Sequence, residues 1–571
     1  MPTKPFLTES CRTSDAVIRV LEEAGIDKVF GMAGGHTGRL FTSLSRFTNS
    51  ITTYTMREES LASVMAEVYG RLTRKPGVLI GQGAWVLGNG IIGTLEAHMS
   101  SSPMILLTEF SDSDGFDLHG AYQSGKGAYG SWDARQAFSA ITKHVFEAHD
   151  PVSAVQATQF AVKHALSGQP GPVAVLFSDS SLRGAVQPES RPRLYSTGAY
   201  LPPAPGLPKE AALAAAAEQI AKAALPILIA GNGVRLSNAY ETLRGFADQT
   251  GLPVVTSTSG KGVFPETHPL SLAVYGNVGH KGANHAVGEA DLVLVAGSKL
   301  GATDTARQNP ALLDASRQTI IQIDVEPRNA SWTLPADQVL IGDAGQILDG
   351  LAQAMGRLGA PRHAGEARVA GIRGAFGYFN GPEYGSEQTP ILPQRTLGAL
   401  RDHLPVDAIV TCDAGENRLF MTHFYQTRAS CDFLQAAGAG PMGFAIPAAL
   451  GAKLLYPERT VVAVCGDGGF AMTMNGLMSA IEHKIPIIVL VLNNSALGWV
   501  FHGSGEFAQK FNDFDLSAIA RAMGCDGARV TRPDELESAI KGAVASRRPT
   551  VIDVVSSLEV SYQDVMSPLM A

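Results

Sequence analysis

Two short apolar runs, 461–465 and 487–492, are each followed at once by polar and turn-forming residues. The first run leads into Gly466-Asp467-Gly468-Gly469, and the second leads into Asn493-Asn494. The chain between them has room for one helix, so the stretch fits a strand, a crossover helix and a second parallel strand. This arrangement would bring the side chains of Asp467 and Asn494 to the same edge of a parallel sheet.

A carboxylate and an amide oxygen at one sheet edge suit Mg²⁺, a hard cation that takes oxygen ligands and stays in contact with phosphates. Gly466, Gly468 and Gly469 would let a diphosphate approach the backbone at the start of the following helix. The alternative is an ordinary βαβ unit with a glycine-rich turn. A Gly-Asp-Gly triplet alone would favour that alternative, whereas the triplet together with Asn493-Asn494 favours the phosphate site.

The stretch resembles the thiamine diphosphate (ThDP) motif of the pyruvate decarboxylase and acetohydroxyacid synthase superfamily. The resemblance implies that Asp467, Asn494 and the backbone carbonyl of Ala496 hold Mg²⁺ and, through it, ThDP. It also implies an α/β fold of three parallel-sheet domains, which are a pyrimidine-binding, a middle Rossmann-like and a diphosphate-binding domain. Alternation of short apolar runs with amphipathic stretches along the whole chain favours the same class.

Two segments have the composition of linkers. Six prolines lie between positions 188 and 208, and a polar, glycine-rich segment runs from about 359 to 393. We therefore predict a pyrimidine-binding domain at 1–188, a middle domain at 205–358 and a diphosphate-binding domain at 385–560.

Arg57-Glu58-Glu59, with Met65-Ala66 and Tyr69 downstream, resembles the superfamily segment whose glutamate hydrogen-bonds the aminopyrimidine ring of ThDP. The resemblance implies that Glu59 is the catalytic carboxyl. The alternative is that Glu58 and Glu59 are surface acids at the start of a helix, where they suit the helix dipole.

Two segments resemble other cofactor contacts of the superfamily. The segment 438–448 is similar to the one whose methionine props ThDP in a bent shape, which makes Met442, with Gly440, a candidate. The segment 413–417 is similar to Asp-x-Gly-Gln-His, which implies contacts from Gly415 and Asn417. Glu416 replaces the glutamine, and a carboxylate near a diphosphate is unfavourable unless it is paired.

The middle block leaves FAD open. Its segment 291–300 is similar to a synthase strand that touches FAD, but Lys299 and Leu300 replace the arginine and aromatic residue. Lysine cannot reproduce the bidentate fork of arginine. Asp324 matches the flavin-contacting aspartate, and Gly231-Asn232-Gly233 is only a weak nucleotide signal.

The expected substrate pocket departs from the synthases. Gly83 to Asn89 looks more like cyclohexane-1,2-dione hydrolase, another member of the superfamily, and we take Asn89 as a candidate cofactor contact. The segments 111–115 and 263–268 resemble the same hydrolase. His36 follows a glycine pair that should face the reacting carbon, and a solvated loop histidine is the alternative. Gln123 matches a pocket-lining glutamine, Gly503 replaces the tryptophan that selects the second substrate, and His502 adds a second candidate proton donor.

Composition narrows the partners. The chain has 571 residues and 45 basic against 53 acidic side chains, giving a net charge of −8, which argues against nucleic acid or an anionic membrane. The five cysteines are scattered without a disulfide or zinc pattern, and neither a signal core nor a membrane-length apolar run is present. We expect a cytoplasmic protein. Because Glu59 and the metal ligands lie in different blocks, the resemblance implies at least a homodimer or a homotetramer.

The leading hypothesis is a ThDP- and Mg²⁺-dependent lyase or carboligase acting on a small 2-oxo acid or ketone, similar to acetolactate synthase. The alternatives are a C–C hydrolase of a 1,2-dione and a non-catalytic ThDP- or FAD-binding relative. A nicotinamide dehydrogenase is weaker, because no GxGxxG follows the turn at Gly231.

Overall fold

The computed structural model describes residues 3–110, 119, 122–201, 205–566 and 569. The segment 111–115, which resembles the dione hydrolase in sequence, lies outside the described residues. The chain divides into two compact units, residues 1–204 with 450–455 and residues 205–449 with 456–571. The division after residue 204 falls inside the proline-rich segment.

The first unit is built on a six-stranded, fully parallel sheet with the order β3-β2-β4-β5-β7-β6. A small antiparallel pair, β1 with β8, accompanies it. The strands are β1 (Cys11–Arg12), β2 (Lys28–Gly31), β3 (Thr52–Thr55), β4 (Gly77–Ile80), β5 (Met104–Glu109), β6 (His144–Ala148), β7 (Pro172–Phe177) and β8 (Ala185–Val186). The helices are α1 (Thr13–Glu23), α2 (Gly38–Leu44), α3 (Glu59–Thr73), α4 (Gly83–Gly88), α5 (Ile91–Ser100), α6 (Ala134–Ser139), α7 (Pro151–Leu166) and α8 (Asp179–Arg183).

The second unit carries two further six-stranded parallel sheets. The first has the order β11-β10-β9-β12-β13-β14. Its strands are β9 (Ile227–Ala230), β10 (Val254–Thr256), β11 (Ser271–Val274), β12 (Leu292–Ala296), β13 (Thr319–Asp324) and β14 (Gln338–Ile341). The accompanying helices are α9 (Glu210–Lys222), α10 (Asn232–Leu236), α11 (Tyr240–Thr250), α12 (Lys281–Glu289), α13 (Ala344–Leu358) and α14 (Gly365–Phe376).

The other sheet of this unit has the order β16-β15-β17-β18-β20-β19. Its strands are β15 (Ile409–Cys412), β16 (Phe433–Gln435), β17 (Val461–Gly466), β18 (Ile488–Asn493), β19 (Asp526–Val530) and β20 (Thr550–Val555). The helices are α15 (Pro393–His403), α16 (Glu416–Phe424), α17 (Ala445–Leu455), α18 (Asp467–Thr473), α19 (Gly476–Glu482), α20 (Gly498–Ser504), α21 (Leu516–Ala522) and α22 (Leu536–Ala545). A short 3-10 turn at Tyr562–Asp564 follows the last strand.

The strands read as continuous apolar runs because helices cover both faces of each parallel sheet. Every residue of β5, β7, β12 and β18 is buried. The predicted α/β class with three parallel-sheet domains is therefore confirmed. Among the described residues, no helix combines the length and the apolar character needed to cross a membrane.

One expectation about organisation was wrong in part. The glycine-rich segment from about 359 to 393, taken as a linker, contains α14, whose Val369 and Ile372 are buried. Arg373 on this helix donates hydrogen bonds to the carbonyls of Ser271 and His268 at 2.7 and 2.8 Å. The glycines lie mainly on its exposed side, so composition alone concealed a packed helix.

Candidate active site

The structure places the two polar motifs of the third sheet where the sequence predicts. Strand β17 ends at Gly466 and its neighbour β18 ends at Asn493, and in the parallel register Gly466 lies opposite Leu492. Asp467 and Asn494 therefore follow adjacent strands at one sheet edge. This is the position at which open α/β sheets usually bind ligands.

A cleft of about 710 Å³, partly open to solvent, lies at this edge. Nine predicted site residues line it, namely Gly415, Asn417, Met442, Gly466, Asp467, Gly468, Gly469, Asn494 and Ala496. Gly440 and His502 are not among the lining residues, whereas Glu416, Trp499, Ser556 and Ser557 are.

Asp467 is the one carboxylate of the predicted metal set. Burial raises the pKa of Asp467 to about 6, although N–H groups of its own turn and of Ala496 lower it. The Ala496 N–H also contacts the Asn494 Oδ1 at 3.1 Å. The Asp467 carboxylate and the Asn494 amide oxygen thus both lie close to the Ala496 N–H, and all three residues line the cleft. Carboxylate and amide oxygens suit a hard cation.

Among the described residues, no three His, Cys, Asp or Glu side chains cluster as a metal site. A site made of one carboxylate, one amide and one carbonyl would not have that signature, so the finding leaves the predicted set as it stands.

Asp413 organises the loop that carries Met442. Its buried carboxylate accepts N–H bonds from Gly443, Phe444 and Ala445 at 2.9, 2.6 and 3.1 Å, which fixes the turn into α17. Desolvation nevertheless raises the pKa of Asp413 to about 6. Sequence reasoning quoted this aspartate but gave it no role; its signal was an acid at the end of a buried strand.

Met442 and Gly468 both line the cleft and lie close together. A Cβ added at Gly468 would lie 3.0 Å from the Met442 Cε, so a side chain at this position would push against the tip of the methionine. The glycine therefore lets Met442 keep its place in the lining of the cleft. Asn417 donates from its Nδ2 to the Asp413 carbonyl at 3.0 Å, which holds the diphosphate-loop candidate in place.

The Glu416 carboxylate is paired with His502. Its Oε1 lies 2.6 Å from the His502 Nδ1 and accepts the Tyr562 N–H at 2.7 Å. The other nitrogen of His502, Nε2, lies 2.9 Å from the Leu558 carbonyl oxygen. Desolvation raises the pKa of the Glu416 carboxyl. The sequence analysis proposed His502 as a proton donor, but it did not predict the contact with Glu416.

Within the first unit, Glu59 is buried at the first position of α3. The Asn89 Nδ2 donates to its Oε2 at 3.2 Å. Burial at 1% exposure excludes the reading of Glu59 as a surface acid. Asn89, predicted as a cofactor contact, therefore serves the carboxyl directly.

Gln82 is a residue that the sequence reasoning missed. Its Nε2 donates to the Gln123 Oε1 at 2.7 Å, and a Cβ at Gly34 would collide with its own Oε1 at 2.0 Å. Gln82 thus lies between Gly34 and Gln123. Gly34 belongs to the turn that carries the partly buried His36, and Gln123 has a left-handed φ of +63°. The signal was a glutamine two residues after the end of strand β4.

The candidate flavin residues lie at the ends of β12 and β13. The Asp324 Oδ1 accepts hydrogen bonds from the Glu326 N–H and the Asn329 Nδ2 at 2.9 and 3.2 Å. This oxygen is therefore already hydrogen-bonded within the loop that follows β13. Desolvation lowers the pKa of Lys299, which lies near Asp324 and Glu326. Leu300 is buried with a φ of +54°.

Comparison with known proteins agrees with this geometry. Three family models match, described as the thiamine pyrophosphate enzyme N-terminal TPP binding domain (residues 11–128), central domain (213–351) and C-terminal TPP binding domain (413–554). A probable acetolactate synthase large subunit of Methanocaldococcus jannaschii is 30% identical over 558 residues, covering 95% of this chain and 91% of that protein.

Two further relatives align over a similar share of the chain. The acetolactate synthase isozyme 3 large subunit of Escherichia coli is 28% identical, with 95% of this chain and 94% of that protein covered. A putative thiamine pyrophosphate-containing protein YdaP of Bacillus subtilis is also 28% identical, with 95% and 91% covered.

Proposed function

We propose that this chain, which belongs to the thiamine pyrophosphate enzyme family, is a Mg²⁺-dependent carboligase or lyase acting on a small 2-oxo acid or ketone. The observation that carries the proposal is the meeting of Asp467, Asn494, Ala496 and Met442 in one cleft. The acetolactate synthases among its relatives make a 2-oxo acid the first substrate class to test.

The residues present fit the cofactor. Asp467, Asn494 and the Ala496 carbonyl would hold the metal, while Gly466, Gly468 and Gly469 leave the backbone accessible to the diphosphate. Bound ThDP would supply an electron sink for the cleavage of a bond next to a carbonyl. Met442, which lies against Gly468, would support the cofactor from the lining of the cleft.

Glu59 is the protein group we assign to proton transfer with the pyrimidine end of the cofactor. The carboxyl is buried and accepts a hydrogen bond from the Asn89 amide, and general acid–base help of this kind is worth about 10²–10⁴ in rate. A non-catalytic ThDP-binding protein would have no use for such a held carboxyl, which argues against that alternative.

The test is to incubate the purified chain with ThDP, Mg²⁺ and pyruvate and to identify products by NMR, with ThDP binding measured separately by calorimetry. Acetolactate and CO₂ would establish the synthase activity. Failure to bind ThDP in the presence of Mg²⁺ would refute the proposal as a whole.

A second candidate, C–C hydrolysis of a 1,2-dione, is favoured by the remodelled helix α20. Trp499 lines the cleft there and its ring stacks on Tyr562 at 4.5 Å, while Gly503 stands where the synthases have their selecting tryptophan. Untouched pyruvate with ThDP bound, followed by ring opening of cyclohexane-1,2-dione, would select this function, and His36 would be the next residue to mutate.

Four further features belong to the proposal. The domain boundaries are those predicted, 1–188, 205–358 and 385–560; the chain works in the cytoplasm; and it assembles as a homodimer or homotetramer. Any FAD would be structural, because neither candidate reaction is a net oxidation or reduction. Flavin absorbance after soaking, together with sedimentation analysis, tests the last two points.

A further inference from the structure

The contact between Glu416 and His502 fixes the number of protons that the pair carries. A carbonyl oxygen can only accept, so the contact with Leu558 requires a hydrogen on the His502 Nε2. The 2.6 Å contact of Nδ1 with the Glu416 Oε1 then requires one more hydrogen between those two atoms. The pair is therefore neutral, either as imidazolium with carboxylate or as neutral imidazole with carboxylic acid.

The surroundings of the pair favour keeping this second proton. The Glu416 side chain is only 5% exposed and that of His502 13%, and desolvation raises the pKa of the Glu416 carboxyl. The negative charge of Asp564 acts in the same direction. The Tyr562 N–H, which also contacts Oε1, and His502 itself act in the opposite direction, but the net direction stays upward.

Glu416 is also placed to pass the proton on. It lines the cleft beside Asn417 and Met442, whereas His502 lies behind it. A Cβ at Gly498 would come within 2.2 Å of the Glu416 Oε2, so the glycine at the start of α20 makes room for this second oxygen. The ThDP motif that this segment resembles has glutamine here, and an amide cannot store a transferable proton.

We propose that Glu416 and His502 hold one shared proton and that Glu416 delivers it to the substrate in the cleft, with His502 as the positioning partner. This deepens the proposed function and rests on it. Delivery breaks the O–H bond of Glu416 and forms a bond from hydrogen to the substrate atom that gains an electron pair when the substrate C–C bond breaks. The pair is left as a carboxylate with a neutral imidazole, and one proton from water restores it.

The first test needs no turnover. Histidine-selective ¹⁵N labelling, with the His502 signals identified by their loss in His502→Gln, reports the protonation of each ring nitrogen. We expect Nε2 to stay protonated across the neutral pH range and Nδ1 to have a shift between the bare and protonated values, which Glu416→Gln abolishes. A bare Nε2, or signals unchanged by Glu416→Gln, would overturn the shared proton.

The second test compares two identical substitutions. Glu559→Gln is the matched control, because Glu559 lies in the C-terminal segment that contains Leu558 and Tyr562, and it accepts from Gln388 outside the lining of the cleft. Glu416→Gln should lower kcat about 10²-fold with KM within about threefold and remove one ionisation from the pH profile, while Glu559→Gln stays within about twofold of the wild type. Equal effects of the two variants would mean that Glu416 only anchors the C-terminal segment through Tyr562, and they would refute its role as a proton donor.

The tests keep the two proposals apart. If the chain turns over no substrate, the ¹⁵N measurement still decides whether the proton is shared, and ThDP calorimetry decides the family chemistry. If Glu416→Gln lowers the unfolding temperature, His502→Gln provides the second variant. Because His502 lowers the pKa of the Glu416 carboxyl, its loss should shift the Glu416 ionisation in the pH profile of kcat to higher pH. An unshifted pH profile in His502→Gln would contradict its positioning role.

Discussion

The stacked rings of His280 and His423 predict that acid weakens the second unit in a defined pH range. Their centroids are 4.5 Å apart with planes inclined by 6°, and His280 is buried while His423 is partly buried. Neither the His280 Nε2 nor the His423 Nδ1 has a hydrogen-bond partner among the described residues. Desolvation, strengthened by Lys261 and Lys281, lowers the pKa of His423 from 6.5 to about 4.

The sign follows from which state binds the proton. The unfolded chain takes up a proton on His423 below pH 6.5, whereas the folded chain resists until about pH 4. Stability from the neutral ring is therefore complete above the unfolded pKa and is lost as the pH falls from 6.5 towards 4. A difference of about 2.5 in pKa corresponds to about 3 kcal/mol, of which about 2 kcal/mol is lost by about pH 4.5.

The variant His423→Gln isolates this effect, since an amide stays neutral at every pH and can still donate to the Val278 carbonyl, the backbone partner of the histidine. Urea unfolding should show the wild type more stable near pH 7, with the gap narrowing by about 2 kcal/mol near pH 4.5. The same substitution at His149, whose side chain is 61% exposed, is the control. A gap of equal size at both pH values would refute the reasoning.

Three shorter predictions concern the proposed site. Asp467→Asn should abolish Mg²⁺-dependent ThDP binding in calorimetry, and retained binding would remove Asp467 from the metal set. Glu59→Gln should lower kcat by at least about 10²-fold while ThDP still binds, whereas Glu58→Gln should be mild; equal losses would contradict the assignment. Asp413→Asn should cost about 1–3 kcal/mol in urea unfolding, because an NH₂ group would face backbone N–H donors; an unchanged midpoint would contradict this.

Local pattern was sufficient for much of the architecture. The apolar runs around residues 78–80, 103–108 and 173–177 became β4, β5 and β7 because both faces of a parallel sheet are covered and each strand is apolar throughout. The meeting of Asp467 and Asn494 followed from the same geometry, since carboxyl ends of neighbouring parallel strands share an edge.

What the sequence concealed depends on contacts between distant segments. Glu416 and His502 are 86 positions apart, and nothing local indicates that they meet. Gln82 and Gln123 are likewise joined only by the fold, across 41 positions. The helix α14 was missed because glycine-rich composition outweighs its few buried apolar residues.

The packing at Gly469 has a consequence for anyone redesigning this protein. A Cβ there would lie 1.9 Å from the Asp413 Oδ2, the same oxygen that accepts the Gly443 N–H. A side chain at position 469 would therefore displace the Asp413 carboxylate, which holds the loop that carries Met442. Libraries aimed at new substrates should keep Gly469 and the Met442 loop constant. They should vary Trp499 and Val500 of α20, which are partly exposed and line the cleft.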